Sequence, residues 1–261
     1  MKVLVAIPFL VVALVSTVWG ERVVGGSNAE NPYPYQISLQ LLSRGKYRHI
    51  CGGSIVNERY AVTAAHCVER FQASQLQILA GTTTLSHGGE TYKVQEFHIH
   101  PDYQVLYTSD IALMRTDRPF NLSNSNIEPV TLTDEYAEGG EEAVLTGWGN
   151  VIPFRPGVFP DNLQQVSLMT LSHSTCNNFH NLSSTEICTT RLFGGACSGD
   201  SGGPLVRKKD KKQIGVVSYG LVVCGSGYPD VFTRVSVFRP WINELTSLNE
   251  VEETPETLGE Q

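Results

Sequence analysis

The 261-residue chain is poor in positive charge, with 19 Lys and Arg against 26 Asp and Glu. A protein that grips nucleic-acid phosphates needs a basic face, so no nucleic acid is expected as a partner. Charged residues reach only 17%, against 41% apolar ones, and that balance excludes a disordered chain. Past residue 15 no apolar run is long enough to cross a bilayer, so no membrane partner is expected. The six cysteines lack the Cys-x-x-Cys spacing of zinc and redox sites. There is no internal repeat, and the loop 82–90 lacks the carboxylate cluster that calcium takes. His98 and His100 are two apart, but no third ligand stands near them. No metal and no cofactor are expected.

What is present begins with a leader. Lys2 precedes an apolar run over residues 3–15, interrupted by Pro8 and followed by Ser16, Thr17, Val18, Trp19 and Gly20. That order is the one of a secretory signal, so residues 1–20 are read as a cleaved signal peptide and the protein as secreted and extracellular. In an oxidising compartment six Cys suggest three disulfides, with their connectivity open. The 24 Gly and 13 Pro favour many short elements. Segments 35–41, 75–80, 92–98, 111–115, 143–146, 163–170, 213–218 and 230–235 read as strands, and Gly-rich turns separate them. Near the end, Pro240 followed by Trp241, Ile242, Leu245 and Leu248 has a helical apolar spacing, with Pro in a permitted first turn. The fold class is all-β with a C-terminal helix.

Three short segments carry chemistry. In Gly199-Asp200-Ser201-Gly202-Gly203-Pro204 a Ser stands among glycines, which let backbone N–H groups converge on one point. Thr63-Ala64-Ala65-His66-Cys67 places a His just after a strand, and Asp110 opens an apolar strand. Each alone reads as structural: a His beside a Cys, a strand cap, a turn. Together they supply an Asp that orients a His, which takes the proton of a Ser.

In this order and spacing they resemble the trypsin/chymotrypsin family of serine proteases. Val23-Val24-Gly25-Gly26, Cys51-Gly52-Gly53-Ser54 and Gly147-Trp148-Gly149 extend the likeness over residues 23–245. The resemblance implies two six-stranded antiparallel β-barrels, about 23–130 and 131–246, forming a peptidase domain 23–246. His66, Asp110 and Ser201 would be catalytic, and the N–H groups of Gly199 and Ser201 would form the oxyanion hole. Disulfides would join Cys51–Cys67, Cys176–Cys188 and Cys197–Cys224. This three-bridge set is most similar to arthropod chymotrypsin-like enzymes.

Activation follows the same resemblance. A trypsin-like protease would cut after Arg22, remove the dipeptide 21–22, and free the amino group of Val23 to pair with Asp200. The primary pocket would have Gly195 at its base, where a trypsin carries Asp, and Gly220 on a wall open to a large side chain. Ser218, Tyr219 and Gly220 would form the edge along which substrate adds as a strand. Asp230 would stand on the pocket wall, either meeting basic side chains or narrowing the slot. The expected activity is a serine endopeptidase cleaving after Tyr, Phe and Leu, in digestion, since no accessory domain precedes Arg22. A broad-specificity collagenolytic or elastase-like protease is the alternative within the class. A catalytically silent homologue acting as a binding protein is the alternative outside it.

The expected partners are protein or peptide substrates, an activating protease and protein inhibitors, with the enzyme itself a monomer. Asn121-Leu122-Ser123 and Asn181-Leu182-Ser183 fit the N-glycosylation pattern. The basic run 207–212 reads as a solvated hairpin tip. Glu250, Glu252, Glu253, Glu256 and Glu260 concentrate acid in residues 247–261, read as a disordered tail.

Overall fold

A computed structural model describes residues 25–105, 108–151, 157–220 and 223–252. The leader 1–20, the activation residues Arg22 and Val23, and residues 253–261 lie outside the described residues. A two-residue strand, β1 (Ser27–Asn28), comes first. Six strands then follow: β2 (Gln36–Ser43), β3 (Lys46–Ile55), β4 (Tyr60–Thr63), β5 (Leu76–Ala80), β6 (Glu90–Ile99) and β7 (Ala112–Thr116). They close antiparallel in the order β2-β3-β4-β7-β6-β5. The second set is β8 (Glu142–Gly147), β9 (Gln164–Thr170), β10 (Glu186–Thr190), β11 (Pro204–Arg207), β12 (Gln213–Tyr219) and β13 (Asp230–Arg234). It closes through β8–β9 pairing, and β1 adds to the edge of β9. The architecture is thus two closed six-stranded β-barrels.

Alternation explains the strands that sequence finds most readily. Along β9, Val166, Leu168 and Thr170 turn inward while Ser167 and Met169 face solvent. Disulfides Cys51–Cys67 and Cys176–Cys188 tie β3 and β10 to neighbouring turns, and Cys197–Cys224 joins two loops of the second barrel. The short helix α1 (His173–Cys176) starts on Ser172, whose hydroxyl accepts from the Thr175 N–H.

The terminal helix differs from its expected span. Helix α2 runs over Val235–Glu252, so Pro240 lies inside it rather than in its first turn. Packing accounts for the longer helix. Val235, Phe238 and Ile242 are buried in the core of the first barrel, and His100 meets Phe238 and Trp241 edge-on at 4.9 and 5.0 Å. The end of the second barrel is therefore clamped onto the first. Because the helix reaches Glu252, the expected tail boundary after residue 246 falls inside a regular element.

Bonds between the barrels hold the interface. Ser54 donates to Gln213 at 2.7 Å and Thr146 to Gln36 at 2.6 Å, all four side chains being buried. Such polar groups satisfy one another where water has no access.

Candidate active site

Glycines let the two barrels meet backbone to backbone at Ser201. The Gly52 N–H donates to the Ser201 carbonyl at 2.8 Å. A Cβ on Gly52 would lie 2.9 Å from the Gly203 Cα, and one on Gly202 would fall onto the Thr63 hydroxyl. Gly202 also has φ of +77°, which a side chain would disfavour. Thr63 in turn donates to the Gly52 carbonyl at 2.8 Å, just ahead of the single 3-10 turn Ala65–Cys67 that carries His66. The nucleophile loop is thus seated directly against the strand end that presents the imidazole.

Asp110 holds that imidazole from behind. His66 Nδ1 donates to Asp110 Oδ2 at 2.7 Å, and the His66 backbone N–H donates to Oδ1 at 3.0 Å. The Ser218 hydroxyl from the second barrel donates to Oδ2 at 2.6 Å. Thr233 donates to the Asp110 backbone carbonyl at 2.7 Å. Burial works to raise the Asp110 carboxyl. The bonds from His66 and Ser218 and the His66 charge outweigh it and hold Asp110 below the usual carboxylate range. Ser109, just before it, is buried with φ of +54°, a conformation that costs a Ser and persists where its surroundings impose it. The sulfurs nearest His66 are those of the Cys51–Cys67 bond, which offer no thiolate to a metal.

The loop before Ser201 is fixed peptide by peptide. The Asn150 N–H donates to the Ser198 carbonyl at 2.8 Å. Since that peptide is trans, the Gly199 N–H on its other edge points away from Asn150. Asp200 is fully buried and accepts from the N–H groups of Gly149 at 2.8 Å and Cys197 at 2.9 Å. A Cβ on Gly147 or Gly149 would collide with its carboxylate, which explains the two glycines around Trp148. Burial pushes the Asp200 carboxyl up to about 7, against the pull of those two N–H groups.

His49 belongs to the same loop, and no motif in the sequence marks it. The Ser38 hydroxyl lies 2.8 Å from its Nδ1, and its Nε2 lies 3.0 Å from the Gly199 carbonyl. With Nε2 protonated, it donates to that carbonyl and accepts from Ser38. Its ring sits edge-on to Trp148 and Phe159, and burial lowers it to about 4, so it is neutral at ordinary pH. The one available hint was a His among apolar residues on a strand, two before Cys51.

Beside Ser201 opens a cavity of about 360 Å³ lined by Ala196, Ser218, Tyr219, Gly220 and Asp230 among others. Asp230 lines it next to Gly195. It accepts from the Ala196 N–H at 2.8 Å, and a Cβ on Gly195 would fall on its carboxylate. A Cβ on Gly220 would come within 2.7 Å of the other carboxylate oxygen. The two glycines therefore make room for Asp230 rather than for open space. Burial pushes Asp230 up to about 7, with the nearby Asp200 adding to the rise. Tyr219 donates to the buried Glu186 at 3.1 Å and stands edge-on to His180, whose Nε2 lies 2.9 Å from the Pro229 carbonyl.

The other residues singled out by the sequence lie elsewhere. His98 is 3.7 Å from Glu96, and His100 packs on α2. Within the basic run, Arg207 is 1% exposed and bound by Asp210, Glu135 and Glu141 at 2.6, 2.9 and 3.3 Å. Lys208 and Lys209 pair with Glu142 and Glu141. Arg207 at the base of that hairpin is a buried cation with its counter-ions, while Lys209 and Lys211 at the tip are exposed.

Comparison with known proteins adds sequence relationships to this geometry. The family model described as Trypsin matches residues 23–242. Chymotrypsin-2 of Vespa crabro is 39% identical over 227 residues, which is 85% of this chain and 99% of that protein. Trypsin of Sarcophaga bullata is 36% identical over 230 residues, 85% and 88% of the two chains. Hypodermin-A of Hypoderma lineatum is 35% identical over 228 residues, 85% and 86%.

Proposed function

The chain belongs to the trypsin family of serine proteases, and on that premise we propose that it is a secreted serine endopeptidase, made as a zymogen, that cleaves after Tyr, Phe and Leu in digestion. Ser201 attacks the scissile carbonyl while His66 takes its proton and later returns it to the leaving amine. Asp110 keeps the Nδ1 proton in place and stabilises the imidazolium. The Gly199 and Ser201 N–H groups receive the oxyanion. The observation that carries this reading is the His66–Asp110 bond of 2.7 Å beside a Ser201 loop tied to Gly52. Labelling tests it: after treatment with trypsin, a serine-directed phosphonate should modify Ser201 and abolish peptide cleavage. Labelling absent from Ser201 favours the silent, partner-binding homologue instead.

Maturation follows from the same reading. Residues 1–20 leave as the signal, and a trypsin-like protease removes 21–22. The new ammonium of Val23 then pairs with Asp200, offsetting the desolvation of a carboxylate that has two backbone donors among the described residues. Protein inhibitors that occupy the cleft are the other expected partners of the monomer. Specificity rests on the pocket base. With Asp230 protonated, the cavity is uncharged and suits Tyr, Phe and Leu. A broad-specificity collagenolytic or elastase-like activity is the second reading, favoured by the Asp230 carboxylate itself, which when ionised attracts a basic side chain. A peptide-library profile distinguishes them: Arg outrunning Tyr and Leu by more than about tenfold at neutral pH would overturn the chymotrypsin-like preference.

A further inference from the structure

The hairpin joining β2 to β3 carries three cations without partners. Arg44, Lys46 and Arg48 are all exposed, and none has an ion pair or side-chain hydrogen bond among the described residues. The register pairs Ser43 with Lys46 and Leu41 with Arg48 across a two-residue turn. Lys46 and Arg48, two apart on one strand, project to the same face. Arg44 and Gly45 both have positive φ, +51° and +76°, the pattern of a type I′ turn. Arg at the first of these positions is unusual, since Asn, Asp or Gly fits it with less strain. No acidic residue occurs anywhere between Asn31 and Asn57. In the β11–β12 hairpin, by contrast, Glu135, Glu141, Glu142 and Asp210 pair with Arg207, Lys208 and Lys209.

The position of the hairpin gives those charges a use. β3 runs from Lys46 to Gly52, whose N–H binds the Ser201 carbonyl. At about 3.3 Å per residue, Arg48 stands roughly 13 Å and Lys46 roughly 20 Å from that contact. On the protease reading, the cavity lined by Ser218, Tyr219 and Gly220, all of the second barrel, takes the acyl half of the substrate. β3 approaches from the first barrel, toward the leaving half. We propose that the β2–β3 hairpin is a docking surface for acidic residues of the substrate about four to six positions beyond the cut, where an extended chain reaches it. This rests on the protease reading. In a chain with excess acid, this local excess of base selects the class of substrate by charge and speeds its capture.

Two quenched-fluorescent peptides test it, identical before the cut. One carries Asp and Glu at the fourth to sixth positions after it, and the other carries Ser and Gln. In about 10 mM salt, where charges act over about 30 Å, the activated enzyme should cleave the acidic peptide about tenfold more efficiently. Near 1 M salt, with a screening length of about 3 Å, the advantage should fall below about twofold. The R44S/K46S/R48S variant should lose the advantage while hydrolysing an acyl anilide, which has nothing on the leaving side, at an unchanged rate. Lys46→Glu with Arg48→Glu should turn the preference toward Lys-rich peptides.

Equal cleavage of the two peptides, or an advantage that survives in the triple variant, overturns the proposal. So does a hairpin-dependent effect seen only with a sulfated polysaccharide. An advantage that emerges only after deletion of residues 253–261 assigns the hairpin to the chain's own acidic end and overturns it as well. Failure of wild-type enzyme to hydrolyse the anilide sinks the protease reading and this inference together, so the two failures are told apart.

Discussion

Ser218 and Asp110 come from different barrels, yet the Ser218 hydroxyl donates to Asp110 Oδ2 at 2.6 Å, the same oxygen that receives the His66 Nδ1 proton. The carboxylate is therefore gripped from both sides of the cleft, and its position depends on how the barrels dock. Ser218→Ala removes one of its donors without touching the substrate-facing backbone. We expect kcat to fall about tenfold with KM little changed, as for loss of one hydrogen bond to a charged group. Steady-state kinetics on a Tyr anilide checks this, and an unchanged kcat would show that His66 and the backbone suffice to hold Asp110.

Asp230 is expected to make specificity depend on pH. Its carboxyl titrates near 7, so the pocket base is neutral below that pH and negative above it. The ratio of Arg to Tyr cleavage should rise severalfold between about pH 6 and pH 8. Any pH effect on the chemical step common to both substrates cancels in the ratio. Asp230→Asn should flatten the profile at a low Arg rate. A wild-type ratio that stays constant across that range would disprove a titrating pocket base.

Asp200 and Asp230 also set how the uncut chain responds to pH. Both are raised in the folded protein to about 7 from 3.8. The fold keeps these protons while the unfolded chain releases them, so stability falls as pH rises from about 4 to 7 and is flat above. The loss should amount to a few kcal/mol. Cutting after Arg22 supplies Asp200 with a cation and should recover part of it. Urea midpoints of the Ser201→Ala protein, cut and uncut, at pH 5 and pH 8, measure this. Equal midpoints for the two forms at pH 8 would contradict the pairing. Arg22→Gln should leave a chain that trypsin cannot activate.

Gly202 cannot be replaced without moving the barrels apart. With φ of +77° and its missing Cβ aimed at Thr63 and at the Gly52 carbonyl 2.7 Å away, Gly202→Ala meets both strain and collision. A destabilisation of about 2 kcal/mol or more is expected, with loss of activity beyond it. Gly45→Ala makes the comparison, since Gly45 also has positive φ but nothing within 4 Å of a Cβ. It should cost about 1 kcal/mol and leave kcat intact.

Strands were legible where one face is buried and the other wet, as in β9. Where both faces are covered the outcome was mixed: β12 and β13 are largely buried and were read, whereas two others were not. β10 and β11 are almost wholly buried, so neither alternates, and β11 opens on Pro204 after two glycines. β3 hides its period behind Gly52 and Gly53, which are small because Gly203, Ile37 and the Val62 carbonyl pack against them. The helix over-ran its expected start because Val235 and Phe238 bury against another barrel, a contact no local spacing announces.

The sequence by itself determined the family and marked the candidate residues for its chemistry. Those residues stand in short motifs whose glycines answer to local needs: a backbone turned to positive φ, or a neighbour too close for a Cβ. Only the tertiary structure decided which charges are free and which carboxylates are strained. Arg207 looked like the exposed cation and is the buried one, bound by Glu135 and Glu141 some seventy positions away. Arg44, Lys46 and Arg48 looked unremarkable and are exposed with no ion pair among the described residues. Asp230 lines the cavity beside Ser201 because Gly195 and Gly220 leave it room there. Ion pairing and desolvation depend on distance through the folded protein, and that distance is set by how two barrels meet rather than by order along the chain.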